Sequence, residues 1–173
     1  LSVEESLRFR KEHLDCVLPS RWVDRWKATD VGGLLAKSRI VILGFKDPHV
    51  LQVVRSAPTP THEAFTTVLQ TCASLRRAAW ISDIQNAFGQ SKKTNRSQPI
   101  CASLPPNMLE AGLNLDPGQL LLCETEVYGL ISGPSWLRQS VVGFLENLGY
   151  VRNPYEKCAM VLPPDTKALT DDK

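Results

Sequence analysis

Asp83 is the only carboxylate in residues 80–88, WISDIQNAF, and it ends an apolar run with an aromatic, Phe88, five residues on. A carboxylate at the end of a buried strand can ligate a hard cation, which takes oxygen donors. The same residue also suits a turn. Lys37 and Arg39 stand two apart in KSRIVILGF. On an extended strand that spacing puts both on one face. Arg presents a bidentate fork to phosphate and Lys a mobile point charge, so the pair suits a polyphosphate. A solvated strand face is the alternative. Lys92, Lys93 and Arg96 punctuate the polar stretch GQSKKTNRSQ. An exposed basic loop there would touch nucleic-acid phosphates with salt-dependent affinity, or simply be solvated.

The remaining chemistry-bearing residues show no pattern. The five cysteines, Cys16, Cys72, Cys101, Cys123 and Cys158, include no C-x-x-C pair. Their odd number suits reduced thiols better than a disulfide framework. His13, His49 and His62 have no zinc-ligand spacing with each other or with the cysteines. All eight are read as structural or surface residues.

The chain has 173 residues, enough for one domain with a sizeable core. Its 43% hydrophobic and 22% charged content argues against disorder. A net charge of +2 does not by itself indicate a nucleic-acid partner, so local clustering must carry that inference. No apolar stretch has bilayer-spanning length, and LSVEESLRFRKEH lacks a signal-peptide core. The expectation is an intracellular protein, cytoplasmic or nuclear, without a membrane partner.

The elements that would position these residues follow from periodicity and punctuation. Residues 2–15 read as a helix, with Ser2 and Glu5 at capping-box spacing. SRWVDRWK (20–27) and KSRIVILGF (37–45) flank TDVGG and read as a hairpin anchored by Trp22, Val23 and Trp26. Residues 58–79 read as a helix with Thr59 as cap and Pro60 in its first turn. Phe65, Val68, Leu69, Cys72 and Leu75 form its apolar face. Residues 78–84 read as a buried strand delivering Asp83, 89–98 as an exposed loop, and 99–104 and 119–130 as strand-bearing segments. Residues 132–149 read as a second long helix, with Ser132 as cap, Pro134 in the first turn and Gly149 as stop. Its apolar face is Leu137, Val141, Phe144, Leu145 and Leu148. A short strand in YEKCAMVLPP and a polar tail complete the order. Strands and helices mix without a βαβ repeat, which predicts an α+β fold.

Six blocks in this order resemble the reverse transcriptase domain of copia-type LTR retrotransposons. They are RWV (21–23), KSRIVILGF (37–45), DIQNAF (83–88), VYGLISGPSW (127–136), FLENLGY (144–150) and YEKCAMV (155–161). The resemblance implies residues 1–19 as an N-terminal helix and linker, 20–162 as fingers and partial palm, and 163–173 as a polar tail. It implies RNA-directed DNA synthesis with two Mg²⁺ ions about 3.5–4 Å apart. Asp83 and the Ile84 backbone carbonyl would then hold metal. Asn86 and Ala87 would offer backbone N–H groups to the incoming deoxynucleotide. Phe88 would stack under its sugar and exclude a ribose. Lys37 and Arg39 would meet the triphosphate. Template–primer and the rest of a Pol polyprotein are the implied partners.

Two departures shape the expectation. Ser132 stands where the family has Gln, with one residue missing, and Ser135 stands where the family has Arg after Pro. The Y-V-D-D hairpin that supplies the other catalytic carboxylates has no counterpart. Asp171 and Asp172 are adjacent, but no apolar strands flank them. The reading is therefore a polymerase fragment, inactive as this chain. The alternatives are a decayed non-enzymatic remnant, a weak nucleic-acid-binding α+β domain, or an unrelated α+β interaction domain.

Overall fold

The computed structural model describes residues 1–108, 112 and 114–164. Among the described residues it is a mixed α+β chain of three α-helices and small sheets. Asp171 and Asp172 fall outside the described residues.

Helix α1 (Val3–Glu12) starts where the sequence indicates. The Glu5 backbone N–H donates to Ser2 Oγ at 3.2 Å, and the Ser2 N–H donates back to the Glu5 carboxylate at 2.7 Å. Both halves of a capping box are therefore present. A single 3₁₀ turn, Leu14–Cys16, then feeds β1 (Val17–Leu18). The chain rises into a hairpin of β2 (Ser20–Ala28) and β3 (Leu34–Ile42). Its tip is closed by Thr29, whose N–H and side chain both engage Gly33, and Gly32 takes a φ of 83° that an L side chain resists.

The central sheet is small. β4 (Cys101–Ser103) lies between β1, which runs parallel to it, and antiparallel β5 (Leu120–Leu122). Its residues join Cys16, Leu18, Ile42, Ile100, Ala102, Cys123 and Leu130 in one buried cluster, against which Phe9, Leu121 and Val127 pack. Ser6 closes one end, accepting the Leu120 backbone N–H through its hydroxyl at 2.9 Å.

An isolated two-stranded hairpin is marginal in water. This one is fastened at its base. Ile42 N–H donates to the Tyr128 carbonyl at 2.9 Å, Leu43 N–H to the Pro19 carbonyl at 2.8 Å, and Trp22 Nε1 to the Pro106 carbonyl at 2.9 Å. Gly44 and Gly129 make this docking possible. A Cβ on Gly129 would collide with the Ile42 backbone, one on Gly44 would collide with the Gly129 carbonyl, and Gly129 has a φ of 99°.

Helix α2 (His62–Ser74) begins two residues later than expected. Thr61, not Thr59, accepts the Ala64 N–H and caps it. Its apolar stripe is amphipathic as read, but Phe65, Val68, Leu69 and Leu75 are exposed. Periodicity fixes the face, and among the described residues no other element covers it. Helix α3 (Gly133–Asn147) carries Pro134 in its first turn and ends before Gly149, which has a φ of 90°. Ser132 precedes it but makes no capping bond, because its hydroxyl is engaged elsewhere. Phe144, expected on the packed face, is exposed, while Val142 and Ser135 are buried. β6 (Val151–Arg152) and β7 (Met160–Val161) close a last small ribbon.

Two sequence expectations fail outright. Residues 78–84 form no strand; Trp80 is 91% and Ile81 99% exposed. Among the described residues no strand pairs with this segment, although β1 and β5 each leave one edge of the three-stranded sheet open, and propensity without a ladder makes no strand. Trp26, expected as a hairpin anchor, is 73% exposed, so Trp22 alone of the two tryptophans ties the hairpin down.

Candidate functional site

Cross-strand register builds the most charged surface of the hairpin. Arg25 pairs directly with Lys37, Val23 with Arg39, and Lys27 with Leu35. Directly opposed residues share a face, as do those two apart, so Arg25, Lys27, Lys37 and Arg39 all project from one side. They line a shallow cleft of about 420 Å³ together with Val23 and Trp26. Among the described residues none of the four joins an ion pair. Lys37 and Arg39 thus lie together as read; Arg25 and Lys27 were missed. Strand register is the signal that finds them, because R-x-K in one strand opposes K-x-R in the other.

The base of this face meets two aromatics. The Arg39 guanidinium carbon sits 5.2 Å from the Tyr128 ring centroid, a cation–π contact. Phe88 meets the same ring edge-on, at 4.8 Å between centroids and 80° between planes. Phe88 also lies against Gly133, where a Cβ would approach its ring at 3.2 Å. Residues from KSRIVILGF, DIQNAF and VYGLISGPSW therefore converge at one place.

The rest of the expected metal and nucleotide set is not assembled. Asp83 and Ile84 are exposed in an irregular segment, not at a strand end. Among the described residues no group of three ligating side chains includes Asp83. Asn86 turns the chain through a left-handed φ of 49°, and Ala87 follows in the same run of turns.

The expected basic loop is exposed at Lys92 and Lys93 but not at Arg96. Lys93 pairs with Glu124 at 3.3 Å on the surface. Arg96 is 7% exposed at its side chain and cannot meet an external phosphate. It donates from Nη1 to Asp47 at 2.6 Å, from Nε to Glu126 at 2.9 Å, and from Nη2 to the Ser132 hydroxyl at 2.6 Å. Ser132 in turn donates to Glu126 at 2.6 Å. Burial works against the guanidinium charge, but the hydrogen bonds and charges of Glu126 and Asp47 outweigh it and hold Arg96 above its ordinary value. Lys92 remains exposed; its backbone accepts Trp136 Nε1 and donates to Ser140 Oγ. Nothing in the sequence marked this buried network. Arg96 read as one more loop cation and Asp47 carried no signal, because burial comes from tertiary closure.

The five thiols are free, as read. Burial pushes Cys101 up to about 11 and Cys123 up to about 12. Cys16 is also raised, first by burial and then by neighbouring Asp15. Its Sγ lies 3.8 Å from His49 Nε2. Among the described residues no helix is long and apolar enough to cross a membrane.

No family model, no curated protein and no solved structure matches the chain. The resemblance to copia-type reverse transcriptases therefore rests on its ordered blocks alone.

Proposed function

We propose that this chain is the fingers and first part of the palm of a copia-type reverse transcriptase, and that it grips template–primer through the β2–β3 hairpin. The observation that carries the reading is the unneutralised basic face of Arg25, Lys27, Lys37 and Arg39. Like charges placed directly opposite each other in a hairpin cost stability, so an arrangement such as Arg25 against Lys37 is favoured when a polyanion neutralises it. The meeting of Arg39, Tyr128 and Phe88 supports it further. Three of the blocks that carry the resemblance contribute to one surface, with a cation at its edge for phosphate and rings for a base or sugar.

The described residues do not fit a two-Mg²⁺ centre. Asp83 and the Ile84 carbonyl are one carboxylate and one backbone oxygen, exposed, with no further ligating side chains grouped with them. No nucleotidyl-transfer step is assigned to these residues. Deoxynucleotide binding at Asn86, Ala87 and Phe88, and cooperation with other Pol segments, belong to the same proposal. The function of the chain itself is then nucleic-acid binding.

Fluorescence anisotropy with a labelled RNA-template/DNA-primer hybrid tests this. The reading expects salt-sensitive binding that Arg25→Glu/Arg39→Glu abolishes, and no primer extension with Mg²⁺ and deoxynucleotides. Binding that survives both charge reversals would overturn it.

A further inference from the structure

Two turns far apart in sequence bring three metal-ligating side chains together outside the basic face. The 3₁₀ turn after α1 presents Asp15 and Cys16, and the turn after Asp47-Pro48 presents His49. Cys16 Sγ, His49 Nε2 or Nδ1 and an Asp15 carboxylate oxygen all lie within 4.8 Å of one another. We infer that Asp15, Cys16 and His49 form a binding site for a thiophilic divalent cation, zinc by its chemistry.

The geometry suits that ion. Zinc binds thiolate at about 2.3 Å and imidazole at about 2.0–2.1 Å in a tetrahedral array, which sets sulfur and nitrogen about 3.6 Å apart. Cys16 Sγ and His49 Nε2 are 3.8 Å apart. The donor set is one soft sulfur, one imidazole and one carboxylate, which selects zinc over magnesium or calcium.

Both turns are held from behind. Cys16 is anchored in the buried cluster with Leu18 and Ile42. The His49 backbone N–H donates to Asp47 Oδ1 at 2.9 Å, while Asp47 Oδ2 is gripped by buried Arg96. These bonds fix the turn that carries His49. Asp15 is exposed, His49 half-buried and Cys16 fully buried, so the site runs from the surface to the edge of the core. Three protein ligands leave a fourth position for water or a small anion. His49 also lines a cleft of about 370 Å³ with Gln52, Arg96 and Trp136.

The full chain, reduced and stripped of metal, is titrated with Co²⁺. The expected result is a thiolate-to-cobalt charge-transfer band that saturates at one ion per chain and is erased by Zn²⁺. Asp15→Asn and His49→Gln should each weaken Co²⁺ binding by at least about tenfold, the loss already caused by removing only an outer partner of a ligand. Cys16→Ser should remove the band. Cys16 is buried, so if that variant fails to fold, the Asp15 and His49 variants carry the test. Cys72→Ser/Cys158→Ser should keep the band. Absence of the band, its indifference to both Asp15→Asn and His49→Gln, or its loss in the Cys72/Cys158 variant would overturn the assignment.

Discussion

Reversing one charge on the hairpin should move stability and binding in opposite directions. Lys37 stands directly across from Arg25, and both are exposed. Lys37→Glu replaces a like-charged cross-strand pair with an opposite one. Such pairs contribute roughly 0.2–1 kcal/mol each, so the gain is of that order at low salt. For a chain of this length it corresponds to a rise in Tm of about 0.4–4 °C, read by circular dichroism. Screening should shrink the rise as salt increases.

Binding to an RNA–DNA hybrid should change the other way. With up to four hairpin cations on phosphates, each contributing a slope of about −0.7 to −0.9, affinity should fall about 50- to 150-fold between 50 mM and 200 mM salt. Losing one contact should reduce that fall to about 20- to 40-fold and weaken binding at every salt concentration. A variant whose Tm drops at low salt would refute the register argument. A variant with unchanged affinity and unchanged salt slope would refute the site.

Other consequences follow from the buried network, the thiols and the uncovered helix. Arg96→Leu strands Asp47 and Glu126 without their cation and should cost about 3–5 kcal/mol, seen in urea unfolding; a change under 1 kcal/mol would contradict the burial of that network. Iodoacetamide under native conditions should label Cys72 and Cys158 first and spare Cys16, Cys101 and Cys123, as peptide mass spectrometry would show. Because burial raises the folded thiols, their contribution is intact below the ordinary thiol value of 9.0 and is lost as pH rises through about 11 for Cys101 and about 12 for Cys123. Glu5 behaves oppositely: hydrogen bonds from Ser2, first its backbone N–H, hold its carboxyl below the ordinary value. Its support of α1 should persist above that value and fade as pH falls through the lowered one, read as loss of helical signal in acid. Val68→Lys/Leu69→Lys should leave Tm within about 1 kcal/mol equivalent and reduce binding of a hydrophobic dye, since both side chains already face solvent.

What was legible in the sequence was local. Ser2 and Glu5 cap α1, β2 and β3 pair across TDVGG, and Pro134 and Gly149 bracket α3, because each signal acts over a few residues. The strand at 78–84 was misread because an apolar run states only a wish to be buried. Burial depends on a partner, and no described strand pairs with it. Lys37 and Arg39 were found because strand alternation is a sequence property, whereas Arg25 entered only through cross-strand register. Arg96 was misplaced for the converse reason: a cation in a polar loop carries no mark that Asp47, Glu126 and Ser132 will close around it. The approach of Cys16 to His49 joins residues 33 apart in the chain, and no ligand-spacing pattern anticipates it.

Photo-crosslinking of a halogenated template–primer, with adducts mapped by peptide mass spectrometry, tests the central claim most directly. The account expects adducts on the hairpin and its base, at Trp26 and Tyr128, and their loss on Lys37→Glu/Arg39→Glu. Adducts confined to residues 89–98, or none at low salt, would contradict it.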